Sequence, residues 1–198
     1  FLWSFFYHED SNPGTVTQPT GFSAPVVISG VHPNNTLYLF VAYKDNAAGG
    51  TSDNITWSRS GGGGGGVQVI LCYEGPCEFD AAGTPVAANN VAASGSVTTT
   101  EDGATVIAFA GDYNNQTSAV PSGMTQRSNH SNIMRVADVV QASAGPSGTK
   151  TFTGSFGQKW GVAVSHRPVV EDEGVEGSGA SSLPALSATA SGTQTQTG

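Results

Sequence analysis

The sequence predicts an all-β protein built around one antiparallel β-sandwich or jelly-roll-like domain. Short segments rich in β-branched and aromatic residues alternate between apolar and polar positions, as half-buried strands do. Clusters of Gly, Pro, Asn, Asp and Ser separate these segments. No segment combines helical periodicity with helix caps. About ten short strands without a helix are typical of a sandwich or a jelly roll.

The composition excludes one large class of partners. Only 11% of the 198 residues are charged, against about 25% in ordinary soluble domains. Ser, Thr, Asn and Gln must therefore supply the polar surface, as in many extracellular and virion proteins. The net charge is −8, and the seven basic residues are scattered along the chain. Because binding to a phosphate backbone needs clustered Lys and Arg, we expect no nucleic-acid partner.

The first seven residues form an apolar run, Phe-Leu-Trp-Ser-Phe-Phe-Tyr. The run is too short to span a membrane and lacks the basic flank of a signal peptide, so neither is expected. Exposed aromatic runs are unfavourable in a soluble monomer. We therefore expect segment 1–7 to lie in a subunit contact of a homo-oligomer, ahead of a sandwich domain at 8–170. The contact residues would be Phe1, Leu2, Trp3, Phe5, Phe6 and Tyr7.

The first half of the domain contains four predicted strands. They are 24–29, 36–43, 54–59 and 67–73. The second is apolar on both faces, which predicts a central strand. The six glycines at 61–66 predict a mobile hairpin tip, and a close-packed oligomer contact is the alternative. The chain from residue 74 through Asn90 is expected to be irregular.

The second half is more regular, and Pro168 ends its last strand. Six strands are predicted here, at 95–100, 105–110, 124–128, 133–140, 150–156 and 160–166. Segment 171–198 is acidic at first and then rich in Ser, Thr and Gly, which predicts a flexible linker and tail. Because the acidic linker offers no apolar surface to the core, removal of residues 171–198 should leave the melting temperature nearly unchanged. The alternative is that Leu183 and Leu186 pack on the domain as part of a strand.

The two cysteines, Cys72 and Cys77, flank a Gly-Pro turn. The turn could bring the sulfurs within bonding distance, and we favour a disulfide over two free thiols. Two thiols without a nearby cluster of His or Cys make a metal site improbable.

Neither a metal site nor a cofactor site is predicted. The four histidines are far apart and form no zinc pattern, and His166 is expected to be structural, on the apolar face of a strand end. Asx-rich loops offer oxygen atoms that calcium prefers, but without the spacing of a dedicated calcium loop; they are Asp45-Asn46, Asp53-Asn54 and 112–115. Sequons for N-glycosylation occur at Asn34, Asn54, Asn115 and Asn129.

The sequence contains no motif that predicts catalysis. There is no Gly-x-Ser-x-Gly motif, and Pro121-Ser122-Gly123 is expected to be a hairpin turn. A pair of carboxylates for glycoside hydrolysis could be drawn from the acidic residues, yet these are expected in turns in any case. The candidates are Glu74, Glu78, Asp80, Asp112 and Asp138. We therefore expect no enzyme.

Three motifs in the second half carry a resemblance to a known family. They are Pro-Ser-Gly-Met-Thr-Gln-Arg (121–127), Ala-Asp-Val-Val-Gln-Ala-Ser-Ala-Gly-Pro-Ser-Gly (137–148) and Val-Ala-Val-Ser-His-Arg-Pro (162–168). Together with segment 97–112, they resemble the β-sandwich modules of tail, fibre and head-decoration proteins of tailed bacteriophages. The resemblance extends over about 70 residues, from segment 97–112 through 120–127 and 134–153 to 160–168, and covers the first half only in outline.

This resemblance implies a fold and a setting, with no catalytic residues. The expected function is a non-enzymatic structural or adhesive component of a virion, located extracellularly and associated with copies of itself and other virion proteins. The alternative is a carbohydrate-binding module on a phage or bacterial surface, with Trp57, Tyr73 and Tyr113 stacking on sugar rings. A third hypothesis is an unusual glycan hydrolase that uses two of the acidic residues.

Overall fold

The structure is a computed structural model that describes residues 1–9, 15–31, 36–45, 55–60, 66–89, 94–112, 118–130, 133–154 and 158–169. Every regular element in these residues is a β-strand. The strands are β1 (Leu2–Glu9), β2 (Val16–Thr17), β3 (Ser23–Val31), β4 (Thr36–Lys44), β5 (Ser58–Arg59), β6 (Gly66–Cys72), β7 (Cys77–Ala82), β8 (Val86–Asn89), β9 (Ser94–Gly95), β10 (Thr98–Thr99), β11 (Thr105–Asp112), β12 (Ser118–Ala119), β13 (Thr125–His130), β14 (Met134–Val140), β15 (Gly145–Pro146), β16 (Lys150–Thr151), β17 (Thr153–Gly154) and β18 (Gln158–Pro168). The described residues contain no helix that could cross a membrane.

Two antiparallel sheets form the sandwich. The first sheet has the strand order β3-β4-β1-β6. The second has the order β13-β14-β11-β18-β7, and β8 pairs with the first part of β18 while β7 pairs with its last part. The antiparallel β-sandwich predicted from the sequence is confirmed.

The main core lies between the two sheets and is rich in aromatic residues. On β1, side chains two residues apart share a face, so Trp3 and Phe5 both point into the core, where each is fully buried. The ring of Phe5 stacks on that of Phe109 from the second sheet, with centroids 5.4 Å apart. From the second sheet, the core also takes Ile107, Met134, Val136, Trp160, Val162 and Val164.

The second sheet is covered on its outer face as well. Phe152, from the connection between β16 and β17, packs on the small side chains of Ala108 and Ala137. Segment 94–100 crosses the sheet so closely that a Cβ atom at Gly95 would lie 2.5 Å from the backbone nitrogen of Ala163. Burial on both faces explains why residues 106–110 of β11 and 160–164 of β18 are continuously apolar in sequence.

The outer face of the first sheet also carries an apolar cover. Leu2 and Ala42 are buried there beneath Phe22 and Trp57. The Trp57 ring stacks on Phe6 at 5.7 Å. This cover belongs to the segments that contain β2 and β5, which pair with each other.

The prediction that segment 1–7 lies in a subunit contact, outside the sandwich, is wrong. Its residues form β1, an interior strand hydrogen-bonded to β4 and β6. Phe1, Leu2, Trp3 and Phe5 are buried in the chain's own cores, and Phe6 is half-buried. The side chain of Tyr7 lies outside the described residues. An inner strand with two covered faces has the same continuous apolar sequence as an exposed docking segment, which is why the pattern misled.

Most of the other strand predictions are confirmed in position, but of the predicted strand 54–59 only Ser58–Arg59 forms a strand among the described residues. The segment 36–43 corresponds to β4, which is an interior strand as predicted. The section expected to be irregular contains β7 and β8, and the predicted strands 95–100 and 150–156 are each broken into two short pieces. Of the glycine run only Gly66, the first residue of β6, is described, and segment 171–198 lies outside the described residues.

Candidate functional site

A cleft of about 300 Å³ opens at one end of the second sheet, beside the connection between β6 and β7. Its lining includes three residues that hydrogen-bond to one another, Tyr73, Arg127 and Asp138. Around them lie Thr105, Thr125, Val139 and Val140. Val140 is the most exposed of the large apolar side chains described, at 64%.

A bulge in β13 accompanies the central ion pair of this cleft. Gln126 pairs with Ala137 and Ser128 pairs with Val136, so Arg127 is the extra residue between them. Bulges redirect side chains, and the Arg127 side chain meets Asp138 of the neighbouring strand. Its Nε donates to both carboxylate oxygens at 2.8 Å. The Asp138 side chain is 4% exposed and that of Arg127 is 50% exposed.

The phenol of Tyr73 provides the second bond to the Asp138 carboxylate. Its hydroxyl donates to Oδ2 at 2.7 Å. Burial raises the pKa of Tyr73 far above its usual range, and the hydrogen bond to Asp138 acts in the same direction. The hydroxyl therefore stays protonated and serves as a donor. Arg127 and Tyr73 together stabilise a carboxylate that would be costly to bury alone.

Behind the cleft, His166 links the two sheets. The indole Nε1 of Trp3 donates to its Nδ1 at 3.1 Å, so the neutral ring carries its proton on Nε2. Burial lowers the pKa of His166 to about 4. The ring stacks on Phe1 and lies 4.3 Å from Tyr73 between centroids. His166 thus lies on the core side of β18, where the alternation of its strand placed it.

The acidic residues proposed for a hydrolase do not converge in this cleft, as far as their side chains are described. Asp138 pairs with the core residue Ile107 and so lies on the inner face of the second sheet. Asp80 accepts from Ser165 at 2.8 Å, and Ser165 alternates with core residues, so both lie on the outer face. Glu78 pairs with Arg167, and Glu74 is exposed. Asp112 has no described side chain.

The expectation that these acidic residues sit in turns is also wrong for three of them. Asp138 is buried within β14, and Glu78 and Asp80 lie in β7. Asp80 is the unpaired residue of a second bulge, between Phe79 and Ala81. It also accepts the backbone N–H of Thr100 at 3.1 Å, and therefore ties the outer cover to the sheet.

Further polar bonds hold the outer cover on the second sheet. The Gln141 side-chain amide donates to the hydroxyl of Thr99 and to the carbonyls of Ser143 and Gly145. The carboxylate of Asp102 accepts the backbone N–H of Ala144 at 2.7 Å. These bonds join segment 97–102 to segment 141–146, which lie far apart in sequence.

Of the two predicted sugar-stacking residues that the structure describes, one lies in the cleft. That residue is Tyr73. Trp57 is instead half-buried: it stacks on Phe6, and its Nε1 donates to the buried Ser4 hydroxyl at 2.9 Å. The expectation of an exposed stacking ring at Trp57 is therefore wrong. Tyr113 lies outside the described residues.

The predicted disulfide between Cys72 and Cys77 is absent, and both are free thiols. Cys72 ends β6 of the first sheet, and Cys77 begins β7 of the second. The Gly-Pro segment carries the chain from one sheet to the other, so it does not fold back as a tight turn would. Cys72 is exposed, while Cys77 packs against the edge of the core.

The remaining predicted sites are described only in part. In the described residues no three His, Cys, Asp or Glu side chains lie close enough to hold a metal ion. Asp45 accepts the backbone N–H of Phe79 at 3.2 Å, while the other Asx-rich positions lie largely outside the description. The sequon residue Asn129 is exposed on β13, and those at Asn34, Asn54 and Asn115 are not described.

Asp138 and Tyr73 were predicted separately as site residues, whereas Arg127 was noted only as the last residue of the motif 121–127. One signal was present, because Asp138 stands in the apolar strand sequence Met-Arg-Val-Ala-Asp-Val-Val, where a carboxylate needs a partner. The choice of Arg127 as that partner depends on the bulge, which the sequence does not reveal. No family model, curated protein or solved structure matches the chain.

Proposed function

We propose that this protein is a non-enzymatic structural or adhesive β-sandwich component of a virion, in the class of tail, fibre or head-decoration subunits. One observation carries the proposal: the polar residues of the motifs that resemble phage modules are bound into the second sheet and its cover. Arg127 binds Asp138, Gln141 binds Thr99, and Arg167 binds Glu78 and Glu101. These bonds support a structural role for the motifs.

The architecture suits such a role. The second sheet is buried on both faces, and side-chain hydrogen bonds fasten its outer cover at several points. A virion subunit must remain folded outside the cell, where unfolding followed by proteolysis is irreversible. In this proposal copies of the chain associate with one another and with other virion proteins. Since β1 is an inner strand, the contacts must use other surfaces than segment 1–7.

A second candidate, a carbohydrate-binding module, is supported by the cleft. Ligand sites combine apolar surface with a few convergent polar groups, and the cleft offers exposed Val140 beside Tyr73 and the Arg127–Asp138 pair. The two candidates are compatible, because an adhesive virion subunit binds glycans on the host surface.

Labelling of native particles tests the proposal. Antibodies raised against the recombinant chain are applied to purified virus particles from the source culture, followed by gold-labelled secondary antibody and electron microscopy. We expect gold at one defined part of the particle, with preimmune serum as the control. Gold on host cell envelopes and none on particles would favour a cellular surface module, while labelling of neither would overturn the virion assignment.

A further inference from the structure

We propose that the cleft between Tyr73, Arg127 and Val140 binds one acidic monosaccharide unit of a glycan, with the sugar carboxylate on the Arg127 guanidinium. This inference rests on the adhesive form of the proposed function and specifies its ligand. Four features of the cleft support it: its size, the free donors of Arg127, the two threonines in its lining, and the exposed apolar side chain of Val140.

The arginine is both fixed and available. The bonds of Arg127 to Asp138 use Nε alone, and within the described residues its terminal nitrogens bond to no protein acceptor. Their four N–H groups are therefore free to donate to a ligand. A guanidinium presents these donors as a planar fork that matches a carboxylate. Because Asp138 holds the side chain in place, less rotamer freedom is lost when a ligand binds.

The charge balance of the cleft favours a carboxylate over a second cation. Asp138 is nearly fully buried and already accepts bonds from Arg127 and Tyr73. What the cleft presents to solvent is the half-exposed guanidinium, which is positive. The chain as a whole carries −8, but charges farther than about 8 Å are largely screened at physiological salt.

The rest of the lining suits a sugar ring. Thr105 and Thr125 line the cleft, and each hydroxyl can donate one hydrogen bond and accept others, as sugar hydroxyls require. Val140, 64% exposed, offers a patch for the C–H face of a pyranose. The volume of about 300 Å³ lies at the lower limit for small-molecule sites, so one ring fits and an oligosaccharide extends outside.

The test is a titration of the isotopically labelled full chain with D-glucuronate, followed by amide chemical shifts in NMR spectra. We expect saturable shifts at residues 105, 125–127 and 138–140, with a dissociation constant on the order of 1 mM, as for a ligand of this size. D-Glucose should bind at least about tenfold more weakly, because it lacks the carboxylate. Acetate, a carboxylate without a ring, should also bind at least about tenfold more weakly.

Two variants locate the contacts. Arg127→Lys keeps the charge beside Asp138 but removes the fork, so affinity for glucuronate should fall at least about tenfold. Thr125→Val removes one exposed hydroxyl, and affinity should fall roughly threefold to tenfold. Arg167→Lys is the matched control, because Arg167 forms ion pairs with Glu78 and Glu101 and does not line the cleft. This variant should bind glucuronate with the affinity of the unchanged chain. Thermal melts establish that each variant is folded.

Several outcomes overturn the inference. Equal affinity for glucose would make this a neutral-sugar site, and equal affinity for acetate would make it a general anion site. Saturable shifts elsewhere, or none at all, would exclude the cleft. If Arg127→Lys does not fold, an unchanged affinity in Thr125→Val alone counts against the proposal. If particles label with gold but the chain does not bind glucuronate, only the ligand proposal fails and the virion assignment is retained. The failure of this inference can therefore be distinguished from the failure of the proposed function.

Discussion

At the scale of single residues, the structure depends on a few polar atoms placed where the two sheets meet. His166 is the clearest case, because its Nδ1 accepts a bond from Trp3 that only the uncharged ring can accept. Around it lie Phe1, Tyr73 and, through Tyr73, Asp138. Protonation of this histidine would place a positive charge in an aromatic core and remove the acceptor. The folded protein should therefore resist protonation there.

The first prediction is that the protein loses stability as the pH falls from 6.5 towards 4. The pKa of His166 is about 4 in the folded state, below its ordinary value of 6.5, so the unfolded chain binds the proton more tightly. The stabilisation is complete above pH 6.5 and is lost as the pH falls. Between pH 7 and 5 the loss should be about 2 kcal/mol, measured by urea unfolding at each pH.

Two variants isolate the histidine. His166→Gln keeps a neutral acceptor for Trp3 and should flatten the dependence of the unfolding free energy on pH between 7 and 5. His130→Gln changes an exposed histidine and should leave the dependence as it is. An unchanged slope in His166→Gln would show that another group titrates in this range.

The second prediction concerns the thiols. Under native, non-reducing conditions both cysteines should react with a thiol reagent, with exposed Cys72 reacting faster than Cys77, which is half-buried against the core. Absorbance during reaction with Ellman's reagent measures both rates. Cys72→Ser should remove the fast phase alone. A chain that shows no thiols until it is reduced would contradict the structure and restore the disulfide.

At the scale of elements, strands with alternating apolar and polar residues, or with a continuous apolar run, were predictable from the sequence. Strands that form only because a neighbouring strand offers them hydrogen bonds were not. β4, β11, β14 and β18 were each predicted close to their observed bounds. β7 has the sequence Cys-Glu-Phe-Asp-Ala-Ala, in which Ala, Glu and Asp have low strand propensity. It forms because β18 offers it an edge, and that context is tertiary.

The third prediction concerns Gly83, which lies where segment 94–100 crosses the second sheet. Gly83→Ala would place Cβ 1.8 Å from the carbonyl oxygen of Ser96. Since backbone atoms obstruct it on both sides, we expect a loss of at least about 3 kcal/mol of unfolding free energy, or no folded protein. Urea unfolding followed by fluorescence measures the loss.

The matched control for this prediction is Gly123→Ala. Gly123 has a φ of +78°, in the turn where Met124 donates to the Pro121 carbonyl, and nothing lies within 4 Å of an added Cβ. Only backbone strain of about 1–2 kcal/mol should result. Equal losses in the two variants would mean that the crossing can open at little cost.

At the scale of the whole molecule, the sandwich uses its first strand as a central element. The fourth prediction is that deletion of residues 1–7 abolishes cooperative thermal unfolding, because β4 and β6 lose their common partner and the core loses Trp3 and Phe5. Differential scanning calorimetry measures the transition. Deletion of residues 171–198 is the control and, on the sequence argument, should shift the melting temperature little. A truncated chain that still melts cooperatively would show that β1 is dispensable.

The candidate site was less predictable than the fold, for a physical reason. Fold class follows from the pattern of apolar residues within each strand, which the sequence states directly. The cleft depends instead on which strands become neighbours and on a register shift at Arg127. Tyr73 was predicted at the end of strand 67–73 as a sugar-stacking residue, yet its bond to Asp138 joins residues 65 positions apart. The residues around each partner do not predict which two distant side chains will form such a bond.

The bond between Trp3 and His166 has a consequence for how the protein is made. It joins residues 163 positions apart. A ribosome that adds about 5–20 residues per second needs roughly 8–30 s to synthesise the intervening chain. During that time the aromatic strand at the start of the domain has no complete core to enter. The core can therefore be completed only after β18 has been synthesised, and until then part of the aromatic surface of β1 lacks its native partners.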